Sequence, residues 1–155
     1  MVRLNSAMAA LGPPSADGEG EPQLDERLEE VLDEGFQAFG DCVILTAFED
    51  ALSQVTSGTH RDATALEAFV NHCHVDDELG LELGDPVLIA QAGRYAGRLA
   101  AELARAYPDV PFLVILTVGD SCIVRFHKQR TGESWLADDL ESYGDQAVMA
   151  IPVPE

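Results

Sequence analysis

Between Asp85 and Lys128 the apolar pattern changes period once, from helical to strand-like, and that change excludes an all-helical or an all-strand chain. Asp85 followed by Pro86 combines an N-cap residue with a first-turn proline. Leu88, Tyr95, Leu99 and Leu103 then recur on one side of a predicted helix over 86–107. After Pro108 and Pro111, the segment Phe112–Val118 is apolar on both faces, as a central strand is. Gly119–Asp120 suits a tight turn into a second strand, Cys122–Lys128. There Cys122, Val124 and Phe126 point one way and Ile123, Arg125 and His127 the other. A polar stretch over 129–134 leads to Trp135 and a short helix through Tyr143. A third strand, Ala147–Val153, carries Pro152, which belongs at an edge or a strand end.

The first half reads as helical and acidic. Leu24, Leu28, Val31, Leu32, Phe36 and Phe39 fall at helical spacing, with Glu26, Glu29, Glu30, Asp33 and Glu34 among the residues on the remaining faces. Gly40 suits the position after that helix, and Asp41 the N-cap of a successor over 42–56. Cys42–Leu45 on its own also fits a strand. A third helix is expected from Thr59, with Asp62 three residues on, and a loop over 74–85. The Gly-, Pro- and acid-rich run 12–23 contains nothing apolar larger than Ala, so 1–23 is expected as a disordered tail.

The fold class expected is therefore α+β. Residues 24–155 form one domain, with acidic helices over 24–75 packed on a unit of one long helix and a mainly antiparallel sheet of at least three strands over 86–153. The chain has 155 residues, 46% of them hydrophobic, which is ample for one core.

Charge sharpens the division. The chain carries 28 acids against 9 Lys and Arg, a net −19. Residues 1–85 hold 19 acids and 3 bases, a net −16, whereas 94–130 holds six bases and three acids, a net +3. Attraction between the two halves follows. Nucleic-acid binding rests on neutralising phosphates, so direct binding to a polyanion or an anionic membrane is not expected. No apolar run approaches the roughly 18 residues of a membrane span. Three separated cysteines, Cys42, Cys73 and Cys122, form no CxxC pair, which fits reduced, buried thiols and a cytoplasmic protein.

Several clusters bear on chemistry. Gly119-Asp120-Ser121 after an apolar strand superficially resembles the opening block of the GDSL hydrolases, which would make Ser121 a nucleophile. That family's Asp-x-x-His near the C-terminus is missing. Only 34 residues follow Ser121, and His127 is the only histidine among them. A hairpin turn accounts for the tripeptide. His72, His74 and Asp76 supply imidazole and carboxylate, the donors of a zinc-like site, if a helix ends between the two histidines. Arg125, His127, Arg130 and Trp135 make the most site-like surface, suited to binding an anion or moving a proton. A row of Ala92, Ala96, Ala100 and Ala104, with Gly93, Gly97 and Ala101 beside it, lets another backbone approach the long helix and could form a homodimer seam.

No catalytic constellation is complete, and no cofactor motif is present. The expectation is a non-enzymatic regulatory protein of inhibitor, immunity, escort-chaperone or nucleic-acid-mimic type. Its acidic face (Glu26, Glu29, Glu30, Asp33, Glu34) would engage a basic protein partner. The alternative is a small metal-binding domain or enzyme using His72, His74 and Asp76, or Arg125 and His127.

Overall fold

The computed structural model describes residues 1–12, 23–55, 60 and 62–155. In chain order the elements are β1 (Arg3–Leu4), α1 (Ser6–Leu11), α2 (Glu26–Asp33), β2 (Phe36–Phe39), β3 (Cys42–Leu45), a 3-10 segment (Thr46–Gln54) and α3 (Ala63–Val70). There follow β4 (Cys73–His74), α4 (Val75–Leu79), α5 (Pro86–Ala106), β5 (Phe112–Val118), β6 (Cys122–Lys128), a 3-10 turn (Leu140–Tyr143) and β7 (Ala147–Val153). The architecture is α+β. A five-stranded antiparallel sheet runs β1-β7-β5-β6-β4, and β2 and β3 form a separate hairpin.

The second half folds as its periods dictate. Asp85 caps α5, accepting from the Val87 N–H at 2.9 Å, with Pro86 in the first turn. Leu88, Tyr95, Leu99 and Leu103 are fully buried. They pack in one core with Phe112, Val114, Leu116, Val124 and Phe126, the inward residues of β5 and β6. The opposite face of the sheet has its own smaller core. Ile115, Val148 and Ala150 are covered by Leu136 and Leu140 from the segment between β6 and β7. Pro152 pairs with Leu113 beyond the reach of β1, so its missing N–H faces no partner strand.

The first half departs from the expected helices in three places. The helix expected over 24–39 stops at Asp33. Gly35 adopts φ +74°, and Phe36–Phe39 pairs with Cys42–Leu45 around Gly40, whose φ is +57°. Phe36 and Phe39 sit at a spacing that serves a helix face, but Phe36 alone turns inward. It meets Tyr107 and Phe126 edge-on at 6.0 and 5.8 Å, while Phe39 is exposed. The successor expected over 42–56 is therefore the strand β3 followed by 3-10 geometry. Within the loop expected over 74–85, one turn of helix, α4, forms and ends at Gly80 in the left-handed conformation. The N-cap of α3 is Asp62, which accepts from Ala65 N–H; the expected start at Thr59 lies outside the described residues.

The tail expected over 1–23 is also corrected at its beginning. Asn5 is buried against β7. Its Oδ1 accepts from the N–H groups of Met8 and Val148, and its Nδ2 donates to the carbonyls of Gln146 and Leu140. Four bonds to one side chain fix β1 and α1 on the sheet, and Met8 enters the main core. Of the rest of that expected tail, 13–22 lies outside the described residues.

Candidate functional site

α3 lies against β6 and β3 and brings the polar clusters together. β4 covers β6 only at Ile123 and Val124. Beyond it, the edge of β6 is met by side chains. Glu67, fully buried, accepts from Val43 N–H at 2.7 Å through one oxygen and from Lys128 N–H at 3.0 Å through the other. Asn71 accepts from Leu45 N–H and donates to the carbonyls of Val43 and Phe126. Two side chains one helical turn apart thus join the hairpin to the sheet where no strand ladder does.

Arg130 closes this cluster. Its guanidinium reaches Glu67 at 2.5 Å and Asp41 at 3.0 Å, and it donates to Thr64 Oγ1 at 3.2 Å. Lys128 also pairs with Asp41, and Arg98 with Glu29 at 3.7 Å. The attraction expected between an acidic and a locally basic half is therefore present in specific pairs. It consumes much of the cationic strip between 94 and 130.

The four residues read as one binding surface divide into two groups. Arg125 and Trp135 meet, with the guanidinium carbon 4.7 Å from the indole centroid. His127 and Arg130 line a separate cavity of about 340 Å³, with Leu113, Gln129, Glu133 and Leu136 among its walls. His127 is only 3% exposed. Its Nδ1 bonds the Lys128 carbonyl, so Nδ1 carries the proton and Nε2 is a bare acceptor without a partner among the described residues. Burial lowers the imidazole's affinity for a second proton, outweighing the Lys128 carbonyl and Glu67.

The metal-type cluster resolves differently. The rings of His72 and His74 meet edge-on at 5.0 Å. His72 Nδ1 is bonded to the Phe69 carbonyl. His74 Nδ1 lies 2.8 Å from Ser121 Oγ, and Ser121 Oγ lies 2.8 Å from Asp76 Oδ1, which also accepts from Cys122 N–H. Ser121 has one proton to give. It goes to the carboxylate, so His74 Nδ1–H donates to the serine oxygen. Burial pushes the Asp76 carboxyl up, but the bonds from Ser121 and Cys122 outweigh it and hold it below the usual carboxylate range. Among the described residues no three His, Cys, Asp or Glu side chains are grouped to hold a metal.

This arrangement also bears on the hydrolase-like tripeptide. A histidine does reach Ser121, but it is His74, from upstream, and the acid bonds the serine instead of the histidine. A carboxylate against the serine oxygen opposes an alkoxide there, the reverse of what a nucleophile needs. The three residues tie β4 and α4 to the β5–β6 turn. Sequence reasoning missed this contact because it depends on the pairing of Cys73–His74 with β6, for which two residues leave no periodic signal.

The acidic residues of α2 separate by burial. Leu28 and Leu32 face the core, Glu29 is half-buried beside Arg98, and Glu26, Glu30, Asp33 and Glu34 are exposed. On α5, Ala92 and Ala96 are buried in the main core and Ala100 and Ala104 pack against it, whereas Ala101 is exposed. No helix among the described residues is long and apolar enough to cross a membrane.

Fold and clusters together define an α+β protein in which a helix-borne polar clamp ties a hairpin to an antiparallel sheet. Residues 4–154 match the model of the uncharacterized protein PM0498 family, and the chain belongs to that family. No curated protein and no solved structure matches it.

Proposed function

We propose that the protein is a non-enzymatic interaction or regulatory protein whose α2 face engages a basic protein surface. The observation that carries this reading is the contrast between the two signs of charge. Glu26, Glu30, Asp33 and Glu34 are exposed, and none forms an ion pair with a described residue. α2 also packs beside α4, whose Asp77 and Glu78 are exposed too. The cations Arg98, Lys128 and Arg130, by contrast, are held by acids of the first half. A single-signed face on a chain of net −19 steers a basic partner and repels an acidic one.

The test is affinity capture at low and high ionic strength. It uses the wild type and a variant carrying Glu26→Gln, Glu30→Gln, Asp33→Asn and Glu34→Gln. A basic protein should be retained at low salt by the wild type, released by salt, and missed by the variant. Absence of any partner at low ionic strength, or equal capture by the variant, rejects the reading.

A further inference from the structure

Arg125 is a half-buried charge with no counter-ion among the described residues. Arg27, Arg98, Arg105, Lys128 and Arg130 each meet a carboxylate, but no described carboxylate pairs with Arg125. Its Nη1 donates to the Ala68 carbonyl at 3.1 Å, in the last turn of α3. That bond caps the helix end and uses one of the five N–H groups of the guanidinium. Nε and Nη2 have no acceptor among the described residues, and neither is sealed from solvent. Burial brings the guanidinium down to about 10, so it remains charged at neutral pH. The guanidinium lies over the ring of Trp135, which stays 40% exposed, so the indole backs the fork and leaves aromatic surface beside it.

Desolvating a cation without pairing it is costly, and a planar fork with open donors is the geometry that recognises carboxylate and phosphate. We propose that Arg125, held between Trp135 and the end of α3, is an oxyanion site that takes the phosphate or carboxylate group of a small ligand through Nε and Nη2. The ligand is small because the net −19 field opposes a polyanion far more than a single mono- or dianionic group. This site is independent of the α2 face.

Trp135 is the only tryptophan, so its emission reports the site directly. The intact protein is titrated with inorganic phosphate and, separately, with acetate, at ionic strength held constant with sodium chloride. The expected result is a saturable change in emission with at least one of the two. Its midpoint should weaken by about tenfold or more in Arg125→Gln, the loss of a charge-assisted pair. Saturation by phosphate alone assigns a phosphate group, and saturation by acetate, alone or equally, assigns a carboxylate. No saturable change with either anion, or an unmoved midpoint in Arg125→Gln, overturns the proposal. The Arg125 Nε–H resonance of the wild type supplies the reading that needs no variant. It should shift with the same midpoint as the fluorescence, and a stationary resonance overturns the site even if Arg125→Gln fails to fold.

Discussion

Glu67 on α3 and Asn71, the residue that ends it one turn later, hold Val43 by both of its backbone groups. The Val43 N–H donates to Glu67 at 2.7 Å, and the Val43 carbonyl accepts from Asn71 at 2.9 Å. The two side chains therefore stand where a neighbouring strand would. Removing either leaves buried backbone groups unmatched. Glu67→Gln also takes from Arg130 its one fully buried counter-charge, leaving it the exposed Asp41, and should cost about 3–5 kcal/mol, as does breaking a buried pair. Asn71→Ala should cost about 2–5 kcal/mol, from at least two unsatisfied groups. Denaturant unfolding measures the loss, and hydrogen exchange at Val43 and Leu45 should accelerate. An unmoved midpoint would show the clamp to be dispensable.

Stability should fall in mild acid. The His127 imidazole is depressed by burial, and His72 shifts the same way, again chiefly by burial. Between its folded value and the unfolded one of about 6.5, the unfolded chain binds more protons. The stabilisation is thus complete above the unfolded value and lost as pH falls below it. Thermal unfolding followed from about pH 7.5 to about pH 5 should show a declining midpoint, and His127→Gln should flatten the decline. Identical slopes for the two proteins would remove His127 from the account.

The thiols should be inert in the folded protein. Cys42, Cys73 and Cys122 are free and buried. Burial pushes Cys42 up to about 11 and Cys73 and Cys122 up to about 12. A thiol reagent at about pH 8 should modify none of them in native protein and all of them after denaturation. Fast native labelling of any one would contradict the burial described.

Gly97→Ala should stabilise the protein. Gly97 lies inside α5, and a Cβ there would meet nothing within 4 Å. The gain should be about 0.4–1 kcal/mol, from unfolded-chain entropy and helix propensity. It would appear as a higher unfolding midpoint. A loss instead would mean that this side of α5 is covered in solution, as the homodimer reading requires.

The second half of the chain was legible because each of its elements spans several periods. Phe112–Val118 and Ala147–Val153 form over their apolar runs, Cys122–Lys128 over its alternation, and α5 starts at the Asp85–Pro86 signal. The first half was not, because its elements are one or two periods long. The Gly-Asp pair at 119–120 suits a turn between two strands, while the same pair at 40–41 suits a cap between two helices as well. Phe36 and Phe39 satisfy both templates, and only the burial of Phe36 against Phe126 separates them. At the candidate site, the residue types at 125, 127, 130 and 135 were visible, but their division into two places was not. That division depends on the path of the 130–136 segment over the sheet, which follows no period.

The clasp of Asn5 on Val148 spans 143 positions of sequence and sets an order for assembly. A chain emerging from synthesis offers Asn5 and Met8 long before β7, the strand that receives them. Until β7 is in place, α1 lacks the strand it packs against and Asn5 lacks the Val148 backbone it grips. Contacts this distant carry the largest loop-closure cost and are favoured only late. Asn5 and Met8 therefore remain uncommitted until β7 has been translated, and the fold is locked by two segments that lie this far apart in sequence.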